Sequence, residues 1–242
     1  MLNSKSDGVP GGIANSSGQV GRNLVDSTGA DVSGHIPALK GRPRYNEDGL
    51  DGSHLYIPWW DYDGQDDGSV NFKRGYHFEV GGGFGAPSMG VGRSVDGYGK
   101  SAKQDVRDNY GSNIGFALRG EMVISDDCYC EIDEQVKDKW GIPVLKFHWK
   151  WSEEEINQAE HGLEWAAKII EAMGGVVTSP KRTGEEAILA GGQIIHEVGT
   201  TRMGDDPKTS VTNKWGQTWD VDNLYIMDGG VFASNPHKNW RK

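Results

Sequence analysis

The strongest apolar period in the chain begins after Ser152. Ile156, Ala159, Leu163, Ala166, Ile170 and Met173 recur at steps of three and four, the spacing that lines one face of an α-helix. Ser152 with Glu155 forms a capping box at its start, and Gly174-Gly175 stops it. Just before it, VLKFHWKW (144–151) alternates like a half-buried strand. That pattern puts Leu145, Phe147, Trp149 and Trp151 on one face, and His148 on the exposed face with Lys146 and Lys150. HLYIPWW (54–60) and GYHFEV (75–80) are aromatic and β-branched, the composition of strands or of a sugar-facing surface. Between them, DYDGQDDG (61–68) reads as a solvated hairpin turn. Residues 1–50 are rich in Gly, Ser, Asn and Pro, with one short apolar stretch at 20–25. The pattern from about 50 to 195 predicts an α+β fold, a mostly antiparallel sheet with packed helices.

Composition narrows the classes. The chain has 242 residues, 36% of them hydrophobic and 10% aromatic, enough apolar surface for a real core. Its 36 glycines imply many turns and close backbone approaches. A net charge of −10 argues against a nucleic-acid partner, which needs a basic face. No apolar run reaches the length of a bilayer span, and the start, MLNSKSDGVPGGIANSSG, has no apolar core of a signal peptide. A cytoplasmic location is the default on that basis, and a partner subunit is the route to the periplasm.

Three tempting motifs carry little. The acidic spacing of DYDGQDDG is close to a calcium loop, but Gln65 stands at the third ligand and Phe72 where a bidentate Glu belongs. GGGFGAPSMGVGRS (81–94) contains a loose GxGxxA spacing, yet Pro87 and further glycines follow where a helix must begin to hold a pyrophosphate. Cys128-Tyr129-Cys130 supplies two thiols, half a zinc site, and too close a pair for an unstrained disulfide. They read as free thiols, and no metal is assigned. His54, His77, Trp59 and Trp60 could stack on a sugar, but core packing is the simpler reading of each.

The last fifty residues add a candidate chemistry. HEVGTTRMG (196–204), DDPKTSVTN (205–213) and VDNLYIMDGGVFASNPHKN (221–239) resemble the C-terminal part of the glucose–methanol–choline (GMC) oxidoreductases, and ANSSGQVGRNLVDS (14–27) resembles an earlier segment of the same family. The general look, with NEDG, PWW, RGYHFE and FHWKWS, is most similar to the gluconate and fructose dehydrogenase-like large subunits.

The resemblance implies FAD as cofactor, a small-molecule alcohol or sugar as substrate, and a small and an electron-transfer subunit as partners. It implies three segments: 1–45 from an FAD-binding domain, 46–190 a substrate-binding domain, and 191–242 a C-terminal return to the FAD-binding domain. In it, His196 is the base that takes the hydroxyl proton, a role a neutral imidazole suits near pH 7. Asn239 stands where the family has its second active-site histidine or asparagine. Val198, Gly199 and Thr200 would line the pocket near the flavin ring, and Asp228 with Gly229 would approach its ribityl and pyrophosphate region. The family's strand–GxGxxG–helix start and its long final helix have no counterpart here, so the expectation is a C-terminal portion shortened at both ends and inactive alone. The alternative is a non-catalytic module that binds a carbohydrate or partner without flavin.

Overall fold

In the computed structural model, residues 1–41, 55–59, 63–82 and 97–235 are described. Five strands form one antiparallel sheet in the order β2-β3-β4-β1-β7: β1 Ser27–His35, β2 Leu55–Pro58, β3 Tyr76–Gly82, β4 Asn113–Glu121 and β7 Val176–Val177. A separate two-stranded ribbon joins β5 Tyr129–Lys137 to β6 Pro143–His148. Helix α1 is a single turn at Asp63–Asp66, α2 runs over Gly99–Asn109, and α3 over Glu153–Ala172. The fold is α+β.

α3 follows its sequence signals closely. The Ser152 hydroxyl accepts from the Glu154 N–H, while Glu155 Oε2 accepts from the Ser152 N–H at 2.9 Å. Glu155 is buried, and its other oxygen accepts from Val123 N–H at 2.9 Å, fixing the helix start to the chain leaving β4. Ala159, Ala166 and Ile170 are buried, and Ile156 and Leu163 pack beside them. Met173 caps the helix and is exposed. Burying one such aliphatic side chain as fully as Ile170 is worth about 1.5–3 kcal/mol.

β1 is the strand the sequence hides. It pairs with β4 over nine residues and with β7 on its other edge, yet its sequence STGADVSGH has almost no large β-former. The small residues are what close layer packing requires. A Cβ at Gly34 would press on Ile170 of α3, and on the opposite face a Cβ at Gly29 would overlap Ile194. Strand β1 also lies within the 1–45 segment, so that segment contributes to the sheet. α2 escaped notice for a different reason: none of its residues is buried, so it has no apolar period to read.

β2 and β3 pair from Leu55↔Val80 to Pro58↔His77, as the aromatic runs predict. Their connection carries the helical turn α1 and Asp67, whose side chain accepts from Ser69 N–H at 2.9 Å. Trp59 and His77 are both buried, so neither faces a sugar; His54 and Trp60 lie outside the described residues, as does 83–94 of the glycine-rich stretch. Trp59 packs with Phe72 and Tyr76 in the main core, at ring separations of 5.3 and 5.8 Å.

The β5–β6 ribbon corrects the half-buried reading of 144–151. Leu145 and Phe147 are 47% and 59% exposed, whereas Trp149 and Trp151, beyond the strand, pack against the buried cluster of Leu24, Val25, Met122 and Cys128. His148 is the more covered residue: it stacks on Tyr129 at 4.1 Å and its Nε2 lies 2.9 Å from Glu131. Alternation predicted the strand, and its apolar face is sheltered at Trp149 and Trp151 but not at Leu145 and Phe147.

Candidate active site

The histidine turn is built by pairing the two ends of the chain. Val25 and Val198 exchange backbone hydrogen bonds at 3.1 and 2.8 Å, and Gly21 N–H donates to Thr200 O at 2.8 Å. From the other side, Thr201 N–H donates to Gly230 O and Met203 N–H to Val231 O, both at 2.9 Å. The turn at 196–204 is thus held between residues 21–25 and 229–231, the meeting of ends that the resemblance implies. Gly199 makes this possible. Its φ of +92° is closed to most side chains, and a Cβ there would overlap the Asn23 carbonyl.

Each expected residue within the described part of the chain has a definite place. His196 is exposed, its side chain free of the core. Val198 points inward and packs with Leu24, Val25, Met122 and Cys128 in a second small core, so it braces the turn and does not line an open pocket. Thr200 and Gly229 are half-buried. Asp228 caps a short 3-10 turn at Gly229–Val231, its side chain accepting from Gly230 N–H at 2.8 Å. Asn239 lies outside the described residues. Arg202 is structural, with Nη2 donating to Thr209 O at 3.0 Å.

The surroundings add what motif reading missed. Ile195, the residue before His196, has φ +60° and is 74% exposed. A β-branched residue in that region is strained by sterics, and such outliers collect at functional sites. Met227 and Phe232, either side of Asp228-Gly229, are also exposed apolar residues. Asp26 is buried at 1% exposure beneath the turn; its Oδ1 accepts from Ser27 N–H at 2.7 Å and from His196 N–H at 3.0 Å. Burial pushes its carboxyl above the ordinary 3.8, against those two backbone hydrogen bonds. Asn235 Nδ2 donates to His196 O at 2.9 Å and to Ser27 Oγ at 3.2 Å. Both residues stood inside the quoted motifs, but their partners are 170 and 39 positions away, a distance no local pattern spans.

Elsewhere, a groove of about 650 Å³ runs between α3 and residues 177–183, lined in part by Glu160, Glu164, Lys168 and Arg182. None of the motif residues lines it. Among the described residues, no group of three or more His, Cys, Asp and Glu side chains is arranged to hold a metal, and no helix is long and apolar enough to cross a membrane. Cys128 and Cys130 are free and buried, and burial raises both thiols above their ordinary range.

The candidate site is thus an exposed imidazole beside a glycine turn that two distant segments hold, with exposed apolar side chains at Ile195, Met227 and Phe232. Residues 125–241 match the family pattern described as GMC oxidoreductase. The chain is 31% identical to a 2-methyl-1,2-propanediol dehydrogenase of Mycolicibacterium austroafricanum, across 97% of this chain and 41% of that protein. It is 27% identical to the gluconate 2-dehydrogenase flavoprotein of Pantoea cypripedii, across 76% of this chain and 31% of that one. It is 26% identical to the fructose dehydrogenase large subunit of Gluconobacter japonicus, across 97% of this chain and 40% of that one. The chain belongs to the GMC oxidoreductases and carries their C-terminal portion, spanning 31–41% of the length of these relatives. That family is generally flavin-dependent.

Proposed function

We propose that this chain supplies the substrate side and the proton acceptor of an FAD-dependent oxidoreductase acting on the CH–OH group of an alcohol or sugar. The observation that carries the reading is the exposed His196 on a turn locked between the two chain ends, beside a strained Ile195. The residues present suit a flavin. Ile195, Met227 and Phe232 offer uncovered apolar surface for a planar ring, and the half-exposed backbone at Gly229-Gly230 has no side chain to keep a ligand away. Thr200, Gly199 and the Asp228-Gly229 stretch are the proposed contacts, with Val198 supporting them from behind. Bound there, the flavin supplies the hydride acceptor.

The remaining work falls to side chains. A hydroxyl must lose its proton as its carbon loses hydride, and the His196 imidazole accepts it. Asn239 is proposed to hold the same oxygen, orienting it and stabilising the charge that develops. The pairing of 21–25 with 198–200 supports assigning 1–45 and 191–242 to a flavin-binding domain and 46–190 to a substrate domain, with β1 passing from the first into the sheet. A relative named as a large subunit supports the proposal of a small and an electron-transfer subunit as partners.

The test is anaerobic mixing of a flavin-loaded protein, in which this chain is joined to a GMC strand–GxGxxG–helix unit, with a panel of diols, aldonic acids and ketoses. Bleaching of the flavin band by at least one member is expected. A stably folded protein that never takes up flavin, yet binds a carbohydrate in calorimetry, would establish the non-catalytic alternative instead.

A further inference from the structure

We propose that Asp26 and Asn235 position His196, gripping its backbone from both sides so that its imidazole is presented in one orientation. The inference rests on His196 as the proton acceptor. No backbone group pairs with His196 among the described residues; the bridge between the two chain ends starts at Val198. The N–H of His196 is instead taken by Asp26 Oδ1 at 3.0 Å, and its carbonyl by Asn235 Nδ2 at 2.9 Å. Asn235 also reaches Ser27 Oγ at 3.2 Å, and Ser27 N–H shares the Asp26 oxygen at 2.7 Å. The four residues therefore close a ring of hydrogen bonds around one histidine, drawn from three distant segments.

Two features say that this ring does more than fill a turn. Asp26 is 1% exposed, and its Oδ2 is buried with no hydrogen-bond partner. Burying a carboxyl with one oxygen unsatisfied is costly, and a neutral side chain could accept one N–H for less. What this geometry provides is one oxygen on which two N–H groups converge, those of Ser27 and His196. The second feature is Ile195, whose φ of +60° persists only where the surroundings over-determine the backbone. The bonds to His196 lie immediately after it. A histidine side chain in water, on a backbone held at both its N–H and its C=O, is free to meet a substrate yet confined in where it points.

Positioning has a kinetic signature that a general packing role lacks. In the flavin-loaded protein, Asp26→Ala is expected to slow flavin reduction at saturating substrate by about tenfold to a hundredfold, the scale of a misplaced reacting group, with half-saturation unchanged. Asp26→Asn keeps the accepting oxygen and is expected to restore the rate. In a His196→Ala background, Asp26→Ala should have no further effect, since the residue it acts through is gone. In parallel, hydrogen exchange of the His196 amide in the 242-residue chain should be slow, and should speed up in Asp26→Ala but not in Asp26→Asn. Asn235→Ala, which disturbs no fully buried group, should slow flavin reduction if the aspartate variant does not fold. An Asp26→Ala effect of equal size with and without His196 would overturn the proposal, as would unchanged exchange of the His196 amide in Asp26→Ala. A His196→Ala protein at full rate would sink the base assignment alone, because the exchange measurement reads the backbone grip independently.

Discussion

Asp26 shows how a single side chain can work against the stability of the fold that holds it. Its carboxyl is raised above the ordinary 3.8 first by burial and further by Glu197, while the N–H groups of Ser27 and His196 and the nearby His196 ring pull it down. A carboxyl whose folded pKa is raised binds its proton more tightly in the native state than in the unfolded chain. Its favourable contribution is full below 3.8 and is lost as pH rises through the raised value. Asp26→Asn removes that titration while keeping the oxygen that accepts both N–H groups. The melting temperature of Asp26→Asn should therefore match the wild type near pH 3 and exceed it near neutrality. Melting curves that differ by the same amount at both pH values would show that the carboxyl ionises without penalty. Glu121, also raised by burial and opposed by Arg74, titrates in the same direction in both proteins and so cancels from the comparison.

At the scale of elements, glycine decides how closely α3 lies on the sheet. Gly162 sits in mid-helix, where alanine would favour the helix by about 0.8–1 kcal/mol. A Cβ there would overlap the side chain of Leu118, which is buried in β4. Inserting a methyl into a filled core costs about 1–3 kcal/mol, so packing outweighs propensity. Gly162→Ala should lower the urea midpoint; a higher midpoint would mean that Leu118 can swing away. The same closeness explains what could be read in advance. α3 was legible because its apolar period, capping box and terminal glycines all agree, and β2 and β3 because their residues are large and β-branched or aromatic. β1 was not, since its glycines and serines look like a loop until Ile170 and Ile194 are seen pressing on its two faces. In the site, His196 and Gly199 were legible as a motif. The roles of Asp26, Ile195 and Asn235 were not, because they exist only once residue 26 and residue 235 meet residue 196.

At the scale of the molecule, the chain is organised so that its two ends serve one turn. The first 26 residues run past the β5–β6 ribbon, where Asn3 Nδ2 donates to Pro143 O at 2.8 Å and Lys5 pairs with Glu134 at 2.7 Å, before reaching the histidine turn through Gly21 and Val25. The C-terminal segment arrives from the opposite direction, with Asp220 accepting from Ser16 and residues 229–231 bonding to the turn. The five-stranded sheet and α3 form the body on which this junction is built. Such an arrangement fixes the backbone beneath an exposed imidazole, and the proposed chemistry requires that imidazole to take a proton. The most direct measurement is rapid-mixing of substrate with flavin-loaded wild type and His196→Ala under anaerobic conditions, following the flavin band at saturating substrate. Loss of a general base predicts a reduction rate lower by about a hundredfold or more, with substrate binding retained. Flavin reduction at the wild-type rate in His196→Ala would contradict the assignment and make the histidine a structural member of the turn.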